Sequence, residues 1–314
     1  MRIDLVVNPN ARRYQAAPDL VALVRRVAAG HATLHLTKDL GALDRVCATL
    51  AERGTDLVIV SGGDGSLMAA VTALARAFGA ERIPPVAPIP GGTAGTVARN
   101  WGVAGDPVSC LERLLSRPHR IVERPTLRVC GEGEGPNGRV ERVGFIVGTG
   151  LVARFFELYY ERGAPGYAGA ARMVARIFAE SFVGGPFARR VLDPLPCTLT
   201  LDGHELAPRA WSLVCVAVVR NLGIHMLVNH RAAEDPHRPH LVASPLPARG
   251  LGPLAPWVLA GRPLPGADNV DALCGEIVLR FPADGPYVLD GELLGASRVT
   301  VTAGPRLSVV TACA

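Results

Sequence analysis

DLVIVSGGDGSLM, residues 56–68, opens with four consecutive apolar side chains, Leu57, Val58, Ile59 and Val60. Three are β-branched, the composition of a strand buried on both faces of a parallel sheet. Gly62, Gly63 and Gly65 follow, with Asp64 between them and Ser66 behind. Glycine admits backbone geometries closed to other residues and lets an anion approach main-chain N–H groups, so the turn is read as a phosphate cradle with Asp64 positioning its metal. Residues 66–77 carry Leu67, Ala70, Val71 and Leu74 at helical spacing, which aims the positive end of a helix at the same turn. Taken alone, Gly-Gly-Asp-Gly fits a plain tight turn equally well.

Working outward, IDLVV at 3–7 predicts a first strand that ends at Asn8-Pro9-Asn10; a helix is expected around 19–29, a strand at 32–37 and a helix at 40–53. This alternation belongs to an α/β layer with a parallel sheet, whose ligand crevice lies at the C-terminal ends of the strands. Asn8, Thr37 and residues 62–66 all fall at such ends. Residues 84–99 add a fourth loop, a proline-rich extended segment running into Gly91-Gly92-Thr93 and a short helix. Two glycine turns that each lead into a helix are harder to read as connectors than one.

The pattern changes after Arg120. Segments at 126–130, 141–147, 197–202, 211–219, 276–281, 286–290 and 298–302 are short, β-rich and separated by Gly, Pro or Asp turns, which predicts a mainly antiparallel second domain. GEGEGPNG at 131–138 reads as a polar hairpin loop. A helical interlude at about 151–180 sets Arg154, Arg162, Arg172 and Arg176 among Phe155, Phe156, Met173, Val174, Ile177 and Phe178. It is read as amphipathic helix packed on the core in preference to a membrane-facing or acyl-chain-binding pair. The expected division is an α/β domain over 1–122, with a return of about 303–314, and a second domain over 123–302.

A chain of 314 residues, 49% hydrophobic and 19% charged, fits two well-filled cores. No apolar run reaches the roughly 18 residues of a membrane span, and MRIDLVVNPN lacks a signal-peptide core, so a cytoplasmic protein, soluble or peripheral to the membrane, is expected. The net charge of +5 is carried almost wholly by arginine, Lys38 being the only lysine. A P-loop and a protein-kinase site each need a lysine in a fixed context that Thr37-Lys38-Asp39 does not supply. No nucleic-acid partner is expected. The seven cysteines contain no C-x-x-C pair and read as small buried residues of a reducing compartment. The pairs His31/His35 and His237/His240 have no helical context or matching acid and are left out of the site.

Gly148-Thr149-Gly150-Leu151-Val152-Ala153 matches the dinucleotide pattern G-x-G-x-x-A after the strand VGFIV. That pattern also requires a following strand that ends in an acid, whereas here a long helical stretch follows, so an oxidoreductase is not expected. Near the C-terminus, YVLDGE at 287–292 is a strand and turn with two carboxylates two residues apart, Asp290 and Glu292.

In order along the chain, VVNPNA at 6–11, Thr37, SGGDGSLMAAV at 61–71, PIPGGTAGTVARNWGV at 88–103, VGTGLVARF at 147–155 and LDGELL at 289–294 resemble the diacylglycerol kinase catalytic family, lipid kinases related to sphingosine and ceramide kinases. The resemblance implies an N-terminal α/β nucleotide domain and a C-terminal antiparallel β-sandwich lipid domain, with ATP and Mg²⁺ bound in the cleft between them. It implies that Asn8, Thr37, Gly62, Gly63, Gly65, Ser66, Gly92, Thr93 and Asp290 serve ATP, that Asp64 organises the metal, and that Glu292 is the catalytic base. Asp235, in AEDPHRPH, is the nearest counterpart of a structural Mg²⁺ ligand in bacterial members. The implied activity is phosphorylation of a lipid hydroxyl at a membrane surface, that of diacylglycerol first, with ceramide or a sphingoid base, or a non-catalytic lipid- or nucleotide-binding role, as alternatives. The sequence leaves the oligomeric state open. Relatives usually carry Asn-Asp where this chain has Gly95-Thr96, and an Asp at Val152, so the acceptor and the metal geometry are the points of departure.

Overall fold

The structure, a computed structural model, describes residues 1–133 and 138–312; residues 134–137 of the polar loop, and Cys313, lie outside them. The chain divides into two compact units, Met1–Thr126 with Pro305–Ala314, and Leu127–Gly304.

In the first unit, strands β1 (Ile3–Val7), β2 (Thr33–Leu36), β3 (Leu57–Gly62), β4 (Val86–Pro90) and β5 (His119–Arg124) alternate with helices α1 (Arg12–Ala16), α2 (Leu20–Ala28), α3 (Leu40–Arg53), α4 (Asp64–Phe78), α5 (Thr96–Asn100) and α6 (Pro107–Ser116). The sheet runs β2-β1-β3-β4, then the C-terminal strand Leu307–Ala312, then β5. Pairing is parallel from β2 through to the C-terminal strand, and β5 is antiparallel. All six residues of β3 are buried, as its continuous apolar run requires. Leu5, Val7, Ile59 and Ile89 pack with Val24 and Leu111 in one cluster, and each such buried side chain contributes about 1.5–3 kcal/mol. Helix α3 begins where the Asp39 carboxylate accepts the N–H of Ala42 at 2.7 Å.

The proline-rich segment is strand β4, fully buried. Two prolines fit a central strand because of where their missing N–H groups would point. Val58 N–H bonds Pro85 O and Gly91 N–H bonds Gly62 O, so odd-numbered residues face β3. Pro88 and Pro90 therefore face the other side, where registered pairing with the C-terminal strand is confined to Val86 and Val309.

The second unit contains β6 (Leu127–Glu132), β7 (Arg139–Gly144), β8 (Ile146–Gly150), helices α7 (Leu151–Glu161), α8 (Gly166–Ser181) and α9 (Pro186–Leu192), and then β9 (Thr198–Leu201), β10 (Leu213–Ala217), β11 (His240–Ser244), β12 (Val270–Leu273), β13 (Glu276–Leu289) and β14 (Glu292–Ala303). Its antiparallel order is β12-β11-β10-β8-β13-β14-β6-β7, with β9 also on β13. The two strands expected at 276–281 and 286–290 are one 14-residue strand with a register shift between Arg280 and Gly285. Its first half pairs with β9 and its end with β8, the behaviour of a strand that turns a corner at a bulge. The single strand expected at 141–147 is instead divided at Phe145, whose N–H, with that of Ile146, bonds the Asp290 carboxylate. Strands β11 and β12 were not anticipated.

Met173 and Ile177 of α8 are buried with Leu158, Val191, Leu213 and Val242, so the helical interlude packs on the sheet. No helix among the described residues is long and apolar enough to cross a membrane. Six cysteines among the described residues are free and buried.

Deleting residues 305–314 removes Leu307, Val309 and Val310, all buried, from between β4 and β5. The shortened chain is expected to lose the cooperative calorimetric transition of the first unit.

Candidate functional site

The two glycine turns lie against each other. Gly91 N–H and Gly92 N–H both donate to Gly62 O, at 2.7 and 3.1 Å. A Cβ on Gly92 would stand 2.5 Å from Gly63 Cα, and one on Gly91 would stand 2.8 Å from Tyr14 Cε2 and 3.1 Å from Gly62 Cα. A Cβ on Gly62 would strike the Ser66 side chain. Close backbone approach thus requires Gly92, and packing against the Tyr14 ring and the Ser66 side chain adds to the demand at Gly91 and Gly62. Tyr14 is the floor beneath them, its hydroxyl 2.6 Å from Ser61 Oγ. Sequence reading missed it because α1 spans only five residues; burial raises its phenol above the usual range, with the Ser61 bond opposing.

Asn8 ties the first loop to this pair. Its Nδ2 donates to Ser66 Oγ at 2.9 Å, its Oδ1 accepts Asn10 N–H at 2.9 Å, and its own N–H donates to Ser61 O. Thr37 is buried at the end of β2, where its N–H bonds Val7 O. Thr93 is exposed beside Gly92. Helix α4 starts at Asp64, and Leu67 N–H donates to Gly63 O at 3.0 Å. The N–H groups of Asp64, Gly65 and Ser66 thus stand at the helix end, where no intrahelical acceptor is available. A Cβ on Gly63 would meet nothing nearer than Gly92 Cα at 3.6 Å, so the approach to that end is open.

Both Asp64 oxygens are engaged. Oδ2 accepts Thr96 N–H and Oδ1 accepts Val97 N–H, each at 2.9 Å, so the first turn of α4 caps α5. The preceding residue, Gly95, has φ +57°, a conformation costly for other residues. Burial raises the Asp64 carboxyl above the usual range, and the bonds from Val97 and Thr96 oppose that.

Residues 2–123 match the family model of the diacylglycerol kinase catalytic domain. That stretch contains both glycine turns. No curated protein matches the sequence. Among solved structures, a Bacillus anthracis str. Sterne protein provisionally designated a diacylglycerol kinase aligns with a TM-score of 0.68 at 17% identity, over 99% of this chain and 96% of its own. A protein of the same strain described as a diacylglycerol kinase gives 0.60 at 17% identity, over 99% and 96%. Another provisionally so designated gives 0.64 at 17%, over 96% and 94%. At that identity the likeness is one of fold.

The remaining candidates belong to the second unit. Asp290 is buried at φ +49° and its carboxylate holds Phe145 and Ile146 N–H, each at 3.0 Å for the nearer oxygen. Gly144 permits this, because a Cβ there would lie 2.7 Å from Asp290 Oδ2. The structure thus gives Asp290 the work of fixing the turn that presents Glu292. The Glu292 side chain reaches solvent, yet the protein around it displaces enough water to raise its carboxyl above the usual range, with Arg142 opposing. Tyr160 donates to Gly291 O at 2.5 Å and is electrostatically coupled to Glu292; it was missed because nothing in the sequence links α7 to residue 291. Asp235 accepts His237 N–H at 2.8 Å within its own turn.

The GTG turn is closed. Thr149 Oγ1 donates to Pro286 O at 2.7 Å, Leu151 N–H to Ser212 O at 2.6 Å, and a Cβ on Gly150 would strike Ser212 backbone. These glycines make room for Val152 and for the Ser212 backbone, against which a Cβ on Gly148 or Gly150 would clash.

With its folded pKa raised, Asp64 favours the fold most when protonated. That contribution is complete below the unfolded value of about 3.9 and is lost as pH rises through the folded value. Asp64→Asn, which leaves Thr96 or Val97 N–H without an oxygen acceptor, is expected to lose about 1–3 kcal/mol. The urea midpoints of wild type and variant should converge as pH rises from about 4 to 7, and a gap that widens over that range would refute the direction of the shift.

Proposed function

We propose that this chain is a lipid kinase of the diacylglycerol kinase type, transferring the γ-phosphoryl group of ATP to a lipid hydroxyl, that of diacylglycerol first. The observation that carries the reading is the open N-terminal end of α4 at the first glycine turn, inside the stretch matching the diacylglycerol kinase catalytic domain. The fold shared with the Bacillus anthracis proteins supports it.

The residues present suit a nucleotide. Three α4 N–H groups and an open approach over Gly63 suit phosphate oxygens. A carboxylate with two of its roughly four acceptor positions in use, beside the Ser66 and Thr93 hydroxyls, suits a Mg²⁺ held mainly by phosphates and water. When bound, that ion supplies charge neutralisation on the phosphate oxygens. The chain's own part is to position: α4 N–H groups orient the phosphates, and Asn8 holds Ser66 in place. Glu292 acts as general base: the lipid O–H bond breaks toward its carboxylate as the oxygen bonds to the γ-phosphorus and ADP leaves. A carboxyl raised toward neutrality is better matched to that task than an ordinary one. The lipid is met at a membrane surface by a peripherally associated protein, at the cytoplasmic face.

One observation favours a second reading. Thr96 and Val152 stand where relatives carry acids, and Asp64 caps α5 with both oxygens, so a member that binds lipid or nucleotide without turnover is the alternative.

Purified protein with labelled ATP and Mg²⁺ is expected to label diacylglycerol most rapidly in a panel with monoacylglycerol, ceramide, sphingosine and NAD. Labelled ceramide or sphingosine would move the acceptor assignment, and no labelled product would favour the non-catalytic reading. Glu292→Gln should lower kcat by about 10² to 10⁴, and retention of more than about a tenth of the rate would remove its role. Since Glu292 must be ionised to act, kcat/KM should rise with pH through its raised pKa. Arg142→Met should move that acid limb to higher pH.

A further inference from the structure

His230, His240 and Asp271 come together from three separate parts of the second unit: the segment after β10, the first residue of β11 and the second residue of β12. One ligand atom from each lies within 4.8 Å of the others. His240 Nε2 is 2.9 Å from Asp271 Oδ1, His230 Nε2 is 3.7 Å from Asp271 Oδ2, and the two rings stand edge to face at 5.1 Å. His240 is fully buried.

What sets this cluster apart from an ordinary buried ion pair is its unmet bonding capacity. His230 Nδ1, His240 Nδ1 and Asp271 Oδ2 are all buried without a hydrogen-bond partner. Each such buried polar atom costs about 1–3 kcal/mol, so the cluster as it stands is short of bonding partners, Asp271 Oδ2 beside the His230 Nε2 among them. The protein also fixes the cluster in place. The buried Asn229 side chain donates to Cys215 O and His240 O, at 3.2 and 2.7 Å, anchoring the residue next to His230 onto β10 and β11. Leu241 pairs with Ala272, and His240 with Leu273, so the ladder brings β12 beside His240. The nearest competing cation is Arg231, whose Nη1 is 4.0 Å from Asp271 Oδ1, but its Nε and Nη2 are each 3.0 Å from Glu234.

We propose that His230, His240 and Asp271 bind a divalent first-row transition metal, of which Zn²⁺ is the type. Two imidazoles and one carboxylate form a donor set that suits Zn²⁺ in preference to Mg²⁺, which takes oxygen ligands in a near-octahedral shell. Tetrahedral Zn²⁺ with bonds of about 2.0–2.1 Å separates its ligand atoms by about 3.3 Å, so small side-chain rotations close the present spacing. Three protein ligands leave a fourth position for water. The metal would join the segment between β10 and β11 to two adjacent strands. Asp235 takes no part, and the inference is independent of the phosphoryl-transfer reading.

The test uses the full chain, freed of any affinity tag, stripped with EDTA and titrated with Zn²⁺, Co²⁺ or Mg²⁺. Expected are one Zn²⁺ retained per chain through gel filtration, a rise in melting temperature, and a Co²⁺ visible spectrum of the tetrahedral type. His230→Gln and Asp271→Asn, at side chains about one-fifth exposed, should weaken Zn²⁺ binding by at least the roughly 10–100-fold seen when a mere supporting partner of a ligand is lost. Their melting in EDTA serves as the folding control. Absence of stoichiometric Zn²⁺, equal binding by wild type and folded variants, or Mg²⁺ binding as tight as Zn²⁺ would overturn the assignment. Should both variants fail to fold, a wild-type Co²⁺ spectrum without the tetrahedral bands would overturn it by itself.

Discussion

The first unit depends on the contact of one main chain with another. Gly62 and Gly63 meet Gly91 and Gly92 so closely that a Cβ on Gly92 would overlap Gly63 Cα, and the Gly62 carbonyl accepts both N–H groups of the second turn. A side chain cannot be accommodated there by choosing another rotamer, because the obstacle is backbone. That contact sets the spacing of β3 and β4 at their C-terminal ends, places the start of α4 beside the start of α5, and lets Asp64 on one cap the other. The prolines of β4 follow from the same arrangement, since they lie on the side turned away from β3.

The second unit uses a carboxylate for a comparable purpose. Asp290 sits in a left-handed turn between β13 and β14 and takes the N–H groups exposed where β7 gives way to β8. A break in one strand and a turn between two others are thereby held by a single side chain, and Glu292, two residues on, inherits its position. Gly144 leaves room for the carboxylate. Of two acids in one short turn, one is structural and the other faces solvent, a difference set by burial and invisible in their spacing.

Asp64 has a similar double character. A carboxylate after a glycine pair reads as a ligand to a metal or phosphate, but in the folded chain it is first of all a helix cap in desolvated surroundings. The cap and any part in nucleotide binding draw on the same two oxygens, so holding α5 in place limits how the carboxylate can turn toward an ion.

The sequence alone determined the elements whose signal is local. Continuous apolar runs marked β1 and β3, a helix was expected at about 40–53 where α3 lies, and the alternation of strand and helix followed by short β segments defined the two architectures. The glycine turns and their order along the chain were legible because glycine is the residue that a close backbone approach demands. Tertiary structure decided what depends on distant partners. Residues 276–289 are one bent strand because β8, β9 and β14 pair along them, and β11 and β12 exist because sheet neighbours complete them. Tyr14, Tyr160 and the group of His230, His240 and Asp271 gain their surroundings from residues 47, 131 and up to 41 positions away. A local pattern can show which backbone a residue prefers, but the desolvation and the bonds that fix its chemistry come from whatever the fold sets beside it.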